Sequence, residues 1–197
     1  MFACRCRKAM EGGRRHGMSD KTHEEGTPPP VIAFYWTREA YGAFSNFAPY
    51  PIELDGLRWP TAEHYFQAQK FAGSPHVEAI RQTPSPMVAA RMGRSRAWPL
   101  RPDWEAVKDE IMLRALRAKF AQHTDLGALL LGTGDAMIVE HTQRDRYWGD
   151  GADGSGANRL GDLLMRVRAE LRASLVQAES MESTDALPWP PRINDAL

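Results

Sequence analysis

Apolar residues recur at helical spacing over most of the chain, and this pattern gives the first indication of the fold. Over residues 104–122 they return at every third or fourth position, which predicts a core helix. Leucine and valine repeat in the same way over residues 158–175, so we expect a second amphipathic helix with one leucine face buried. Shorter helices are predicted over residues 61–71, 86–92 and 125–131. The residues that favour helix N-caps are Thr61, Ser85 and Asp103.

Strands are predicted at three places, and all of them are short. Residues 31–36 and 137–140 are compact apolar runs of strand length. Residues 52–57 form the third run, in which Asp55 and Gly56 supply the turn chemistry of a β-hairpin. Because helical signals dominate, the sequence predicts an α+β fold, a predominantly helical single domain with a few short strands.

Composition divides the chain into one domain and two tails. The 197 residues include 43% hydrophobic residues, which is enough for one globular core. Residues 1–30 contain almost no apolar residue and end in three prolines, which predicts a disordered N-terminal tail. Residues 176–197 lack a periodic apolar face and are predicted to form a flexible C-terminal tail. The folded domain is therefore expected to span residues 31–175.

Charge and cysteine content narrow the possible partners and compartments. Lys plus Arg and Asp plus Glu number 25 each, so the net charge is zero and no global field attracts nucleic acid or an anionic membrane. Recognition of phosphate must therefore be local. Cys4 and Cys6 are too few for a disulfide framework or a tetrahedral zinc site, which fits a reducing cytosol. Without a membrane-spanning run or a signal peptide, we expect a cytoplasmic protein with no membrane partner.

The helix predicted after Thr61 carries a row of polar groups. Glu63, Gln67 and Lys70 lie at positions i, i+4 and i+7, on one helical face. Such a row is usually a solvated surface, and spacing alone favours that interpretation. The alternative is that Glu63 faces a pocket, with Lys70 near enough to hold a phosphate or a hydroxyl. His64 points about 100° away from Glu63 and is interpreted as a packing or surface residue rather than a base.

Two loops and one basic cluster contain residue types that suit binding. Residues 41–47 combine aromatic side chains with Gly, Ser and Asn, which fit either a sugar and a base or a turn packed on the core. Arg94, with Arg91 and Arg96 beside it, can contact phosphate or satisfy helix carbonyls. Residues 145–158 form a glycine-rich approach to a helix, which can present backbone N–H groups to an anion. This segment matches neither a P-loop nor an EF-hand.

Several of these motifs, taken together, resemble the NADAR family of N-glycosidases, and within it the bacterial members that act on riboflavin-biosynthesis intermediates. The resemblance rests on residues 41–47, 59–71, 85–94, 147–151 and 158–161, and it covers roughly residues 34–171. It implies hydrolysis of the bond between a ribose carbon and an amine or base nitrogen. The implied substrates are phosphoribosylamino-pyrimidine intermediates or, as in related members, ADP-ribose attached to guanine bases.

The resemblance also implies roles for individual residues. Glu63 and Asp145 are the implied catalytic groups. One carboxylate can stabilise an oxocarbenium-like state or activate water, and a second group can supply the proton that helps the amine to depart. Asp145 or Asp150 can orient the ribose hydroxyls. Aromatic faces are expected to stack on the base, and cations to hold the phosphate. The implied substrate-binding residues are Asn46, Phe47, Lys70, Arg94, Trp104, Trp148, Asp150 and Asn158.

Two other functional classes fit part of the sequence. A non-catalytic module could bind ADP-ribose or a nucleotide in the same pocket, although a buried Glu63 near a phosphate costs affinity unless it has a chemical role. A helical interaction protein would leave the Trp-Gly-Asp loop unexplained. Metalloenzyme and serine-hydrolase motifs are absent, so neither a metal nor a cofactor is expected. Zero net charge favours a small substrate, with nucleic acid a partner only as an ADP-ribosylated substrate.

Overall fold

The computed structural model describes residues 29–185, so the predicted N-terminal tail lies almost entirely outside the described residues. Within this range the chain forms the α+β fold that the sequence predicts, with six α-helices, one short 3₁₀ helix at Gly42–Phe44 and four short strands. The elements are β1 (Val31–Phe34), β2 (Ile52–Leu54), β3 (Leu57–Trp59), α1 (Ala62–Gln69), α2 (His76–Arg81), α3 (Pro86–Gly93), α4 (Trp104–Gln122), α5 (Thr124–Leu131), β4 (Met137–Glu140) and α6 (Arg159–Asp185).

The four strands form two small sheets, one between segments that are distant along the chain and one between neighbouring strands. β1 pairs with β4 in parallel, and Phe34 lies opposite Glu140 at the end of the pair. β2 and β3 form an antiparallel hairpin, in which Asp55 has a φ of 55° and Gly56 a φ of 73°. Positive φ at both central positions is the geometry of the tight turn that Asp-Gly favours. The predicted hairpin is confirmed, with its first strand ending at Leu54 because the turn residues cannot extend it.

Side-chain caps begin two of the helices, as the sequence predicts. The hydroxyls of Thr61 and Ser85 each accept a hydrogen bond from a backbone N–H in the first turn of α1 and α3. Asp103 holds the predicted N-cap position of α4, but its carboxylate does not cap the helix, because Arg101 occupies it with hydrogen bonds of 2.6 and 2.9 Å. α2 was not predicted, because no side chain caps it and its six residues are too few to show an apolar periodicity.

The last helix is longer than its apolar pattern indicates. α6 continues to Asp185, so it takes up the first ten residues of the predicted C-terminal tail. Leu175 and Val176 are exposed, so the extension does not depend on burial of an apolar face. Residues 176–185 contain neither Gly nor Pro, and the helical hydrogen bonding is not interrupted there. Neither α6 nor any other helix within the described range is long and apolar enough to cross a bilayer.

α1 is the central element of the core. It packs against α2, α3 and α4, and all of its residues except the last are buried. Tyr65 and Phe66 fill the apolar interior, so the polar residues of the helix must find partners inside the protein. His64 does so locally, with Nδ1 2.8 Å from the Thr61 hydroxyl and Nε2 3.3 Å from the Thr83 carbonyl oxygen. These contacts support a packing role for His64, and burial lowers its pKa.

Candidate active site

A cleft of about 730 Å³ opens beside α1, the start of α4, the end of β4 and the loop that follows β4. Its volume suits a small-molecule ligand. The predicted site residues found in its wall are Asn46, Phe47, Glu63, Lys70, Arg94, Trp104, Asp145 and Trp148. Wall residues that were not predicted as site residues include Tyr35, Trp36, Gln67, Glu140 and Tyr147. The polar row of α1 therefore faces a pocket, and its interpretation as a solvated surface is wrong.

Glu63 lies in the first turn of α1 and is 3% exposed. Its backbone N–H donates to the Asn46 carbonyl at 3.0 Å, which ties α1 to the loop before β2. Two amides donate to the carboxylate, Gln67 Nε2 to Oε1 at 2.7 Å and Asn46 Nδ2 to Oε2. Burial raises the pKa of Glu63 to about 7, and the Gln67 hydrogen bond, Lys70, Arg94 and Asn46 oppose that rise. A fixed carboxyl group that titrates near neutral pH suits acid–base or electrostatic catalysis.

Lys70 and Arg94 supply positive charge to the cleft wall. Lys70 Nζ donates to the Gly93 carbonyl at 3.2 Å, and burial lowers the pKa of Lys70. Arg94 is exposed and forms no ion pair with any residue in the described range, which leaves its guanidinium open to an anion. Arg91 and Arg96 lie outside the wall, so the predicted basic cluster contributes only Arg94 to the cleft.

Three aromatic rings form an apolar section of the wall. Phe66 projects from α1, and its ring centroid lies 5.0 Å from that of Trp104 and 5.3 Å from that of Trp148. The Trp148 ring stands almost perpendicular to Phe66, with an interplanar angle of 87°. Lys70 Nζ lies 5.4 Å from the Trp104 ring centroid, so the cationic and aromatic parts of the wall adjoin. Such a surface suits a flat base next to an anionic group.

Asp145 organises the loop that presents Trp148. Its Oδ1 accepts hydrogen bonds from the backbone N–H groups of Tyr147 at 2.9 Å and Trp148 at 2.8 Å. The Tyr147 hydroxyl donates to Asp109 at 2.6 Å, which anchors the same loop to α4. The Asp145 side chain lines the cleft, and its Oδ2 has no hydrogen-bond partner among the described residues. That oxygen is available to a hydroxyl of a bound sugar.

Asp150 and Asn158 lie outside the cleft wall, so their predicted contact with substrate is not supported by their positions. Asp150 accepts a hydrogen bond from the Thr142 backbone N–H at 3.1 Å. Asn158 accepts one from the Glu140 N–H at 3.0 Å and donates to the Ile138 carbonyl at 2.8 Å. Both side chains thus attach the glycine-rich loop to β4 and the chain just after it. A loop with so little regular structure needs side chains to satisfy the backbone groups around it.

The glycine-rich loop occupies three of the backbone N–H groups at the start of α6. The N–H groups of residues 158, 159 and 160 donate to the carbonyls of residues 149, 147 and 148 at 3.0–3.1 Å. These are the donors that a helix N-terminus would offer to a phosphate. The loop folds back and occupies these donors itself, so the positions of these three groups do not support the predicted anion-binding use of the segment.

Glu140 is the main site residue that sequence reasoning missed. It ends β4, where the sequence indicates only a short strand, and its side chain lines the cleft. Burial raises the pKa of Glu140 to about 7, and the carboxylates of Asp145, Glu63 and Asp150 add to the rise. A lone acidic residue at the end of an apolar strand was the available signal. Among the described residues, no group of three His, Cys, Asp or Glu side chains could hold a metal ion.

Gly93 provides the space that the Gln67 amide occupies. A Cβ atom at position 93 would lie 1.8 Å from Gln67 Oε1, an atom that is buried and has no hydrogen-bond partner. We expect Gly93→Ala to displace the amide and remove its hydrogen bond to Glu63. Because that bond stabilises the ionised carboxylate, carbon-13 NMR should show the pKa of Glu63 rising by roughly one unit.

Gly132→Ala is the matched control for this prediction. A Cβ at position 132 would approach only backbone carbonyl oxygens, the nearer at 3.3 Å, and Gly132 is not part of the cleft wall. We expect this variant to leave the titration of Glu63 unchanged. An unchanged pKa in Gly93→Ala as well would show that Gln67 does not hold the carboxylate.

Known proteins resemble this chain over most of its length. Residues 33–172 match the NADAR domain. N-glycosidase YbiA of Escherichia coli (strain K12) is 60% identical over 141 residues, which cover 72% of this chain and 88% of that protein. The riboflavin biosynthesis protein PYRR, chloroplastic, of Zea mays is 39% identical over 170 residues, 79% of this chain and 27% of that protein. The NMR structure of E. coli YbiA, 58% identical, superimposes with a TM-score of 0.71 and covers 75% of this chain and 88% of that one.

Proposed function

Because the chain belongs to the NADAR family, we propose that it is an N-glycosidase that hydrolyses the ribosyl C–N bond of phosphoribosylamino-pyrimidine intermediates of riboflavin biosynthesis. The observation that carries the proposal is the carboxylate of Glu63, which is buried beside a cleft and held by an amide donor on each oxygen. The names of two relatives, an N-glycosidase and a riboflavin biosynthesis protein, support the reaction and the substrate class.

The chemistry of the bond explains why a fixed carboxylate is needed. Cleavage of a ribosyl C–N bond passes through an oxocarbenium-like state with positive charge at the anomeric carbon. A carboxylate beside that carbon stabilises the charge and accepts a proton from the attacking water. The amides of Asn46 and Gln67 hold Glu63 without neutralising it, so little reorganisation is needed as the charge develops. The products are ribose phosphate and the free amine.

The rest of the cleft wall matches the two ends of such a substrate. Lys70 and Arg94 carry the charges that bind a phosphate, and Arg94 has no competing ion pair in the described part of the chain. Trp104 and Trp148 offer aromatic faces to the pyrimidine. Asp145 has one oxygen committed to its own loop and one available for a ribose hydroxyl. Each of these roles is part of the proposal.

A second candidate function is the removal of ADP-ribose from guanine. Tyr35 and Trp36 line the cleft while remaining 45% and 55% exposed, with their ring centroids 4.7 Å apart. Exposed aromatic side chains of this kind can stack on a second base, which ADP-ribose carries and a phosphoribosylamino-pyrimidine lacks. The zero net charge of the chain favours the smaller substrate, because strand binding usually draws on a basic surface.

A direct comparison of substrates tests the proposal. The purified protein is incubated with the phosphoribosylamino-uracil intermediate and, separately, with guanosine that carries ADP-ribose, and the released sugar phosphate is followed by mass spectrometry. We expect a higher kcat/KM for the phosphoribosylamino-uracil. A higher value for the ADP-ribosyl substrate would select the second candidate. Tight binding of both without turnover would indicate a binding module instead.

Lys70→Met tests which part of the substrate lies at the cationic wall. With the phosphorylated substrate we expect KM to rise roughly tenfold to a hundredfold, since a charge-assisted hydrogen bond contributes about 1.5–3 kcal/mol. With the dephosphorylated substrate, the variant and the wild type should have similar KM values. If the loss is the same for both substrates, Lys70 does not contact the phosphate.

A further inference from the structure

Glu140 is a second carboxyl group in the cleft, and its surroundings differ from those of Glu63. Its backbone is fixed on both sides, because its N–H donates to Asn158 at 3.0 Å and its carbonyl accepts from the Asp150 N–H at 3.0 Å. Its side chain lines the cleft and forms no hydrogen bond or ion pair with any residue that the structure describes. Glu140 is half-buried, and polar side chains withdrawn from solvent are usually paired in folded proteins. An unpaired carboxyl group that borders a cleft therefore suits contact with a ligand.

The charges that act on Glu140 are all negative. They belong to Asp145 and Glu63 in the cleft wall and to Asp150 in the loop behind it. His141, the neighbouring titratable group, has Nδ1 2.7 Å from Asp150 Oδ2 and is directed at that carboxylate. Burial and these three carboxylates favour the protonated form of Glu140, and its pKa rises to about 7.

Glu63 has the opposite surroundings, although its pKa also lies near 7. Amide donors bind both of its oxygens, and Lys70 and Arg94 favour its ionised form. Two carboxyl groups that interact titrate as a pair, and the proton remains on the one with the weaker support for negative charge. That group is Glu140, because it lacks the two amide donors and the nearby cations of Glu63, and this arrangement favours a carboxylate at Glu63 beside a carboxylic acid at Glu140.

We propose that Glu140 is the catalytic residue that donates a proton to the departing nitrogen, an inference that rests on the N-glycosidase function proposed above. As the C–N bond breaks, its electron pair moves to the nitrogen, and the Glu140 carboxyl proton forms the new N–H bond. Water adds to the anomeric carbon, and Glu63 accepts the proton that this water releases. Glu140 is left ionised and Glu63 protonated. Proton exchange with solvent then restores both groups.

The pH profile of Glu140→Gln separates a proton donor from a residue that only shapes the cleft. With the phosphoribosylamino-uracil substrate, we expect kcat to fall roughly a hundredfold to a thousandfold while KM changes by less than about threefold. In the wild type, kcat should decline as pH rises above 7, because Glu140 loses the proton it must donate. This alkaline decline should be absent from the residual activity of Glu140→Gln, and Glu140→Asp should restore part of kcat.

Two controls complete the experiment. Glu110→Gln removes an exposed carboxylate that pairs with Arg117 at 3.2 Å, and it should leave kcat unchanged. Thermal unfolding at pH 8 should show that Glu140→Gln is at least as stable as the wild type, since the amide removes an unpaired, half-buried charge.

Each other outcome contradicts the proton-donor role. A kcat within threefold of wild type in Glu140→Gln would overturn it while leaving the N-glycosidase function intact. A large loss that keeps the alkaline decline would make Glu140 a structural residue. Absence of turnover in the wild type itself would refute the proposed function, and the donor role with it.

Discussion

Replacing Glu63 with glutamine lowers kcat by at least about a thousandfold in the proposed reaction, which is the largest catalytic effect we expect. The amide has nearly the same shape but can neither stabilise a positive anomeric carbon by charge nor accept a proton from water. Glu63 is almost fully buried, and the amides of Asn46 and Gln67 can reorient to bind a glutamine. We therefore expect the variant to fold and to bind substrate with an affinity close to that of the wild type. Steady-state kinetics with a calorimetric titration measures both quantities.

The pH dependence of the wild type gives an independent check on Glu63. Because burial raises the pKa of Glu63 to about 7, a base at this position is ionised above that pH and protonated below it. We expect kcat/KM to fall as pH decreases from 7 to 5. A flat profile over this range, or an active Glu63→Gln variant, would show that another group performs the reaction.

Lys119→Met is expected to cause the largest loss of stability. Lys119 is fully buried on α4, and its Nζ donates to the carbonyl of Ala43 and, at 2.8 Å, to that of Ser45. Methionine fills a similar volume but leaves both carbonyls without their donor, at a cost of about 3–5 kcal/mol. We expect Tm to fall by roughly 10 °C. Because the same loop carries Asn46, the variant should also have a lower kcat.

The effect of Lys119→Met should depend on pH. Burial lowers the pKa of Lys119 to about 7, whereas the side chain in an unfolded chain titrates near 10.5. Between these values the unfolded chain binds more protons than the folded protein, so the contribution of Lys119 to stability grows as pH rises from 7 to 10. The difference in unfolding free energy between wild type and variant should therefore widen over this range.

Arg166→Met is the control for the lysine substitution. Arg166 is largely exposed and pairs with Glu170 at 3.2 Å, and a surface pair of this kind contributes less than about 1 kcal/mol. Chemical denaturation of both variants gives the two unfolding free energies to be compared. If Lys119→Met is no less stable than Arg166→Met, the buried lysine does not hold the loop in place.

The sequence predicted the elements that depend on interactions between residues close together in the chain. α4 begins and ends at the expected residues, because its apolar spacing persists for the whole helix. Thr61 and Ser85 cap their helices, and Asp55-Gly56 makes the hairpin turn, because these residues act on backbone groups only a few positions away. α6 extends beyond its apolar face because helix-forming residues continue there, a feature that burial patterns do not reveal.

The site was predictable only in part, since its residues meet through tertiary contacts. Spacing placed Glu63 and Lys70 on one face of α1 but favoured a solvated surface, and only the burial of the whole helix shows that this face lines a cleft. Glu140 joins the site because β4 pairs with β1 and ends beside the loop of Asp145. Asp150 was predicted to bind substrate, but its carboxylate accepts a hydrogen bond from the Thr142 backbone N–H and lies outside the cleft wall.

A single product measurement decides whether this cleft hydrolyses a ribosyl C–N bond. The wild type, Glu63→Gln and the control Glu110→Gln are each incubated with the phosphoribosylamino-uracil substrate, and ribose phosphate and the free aminopyrimidine are quantified together by mass spectrometry. We expect both products in equal amounts from the wild type and Glu110→Gln, and neither above background from Glu63→Gln. Equal product formation by all three proteins, or none by the wild type, would contradict the function proposed for this cleft.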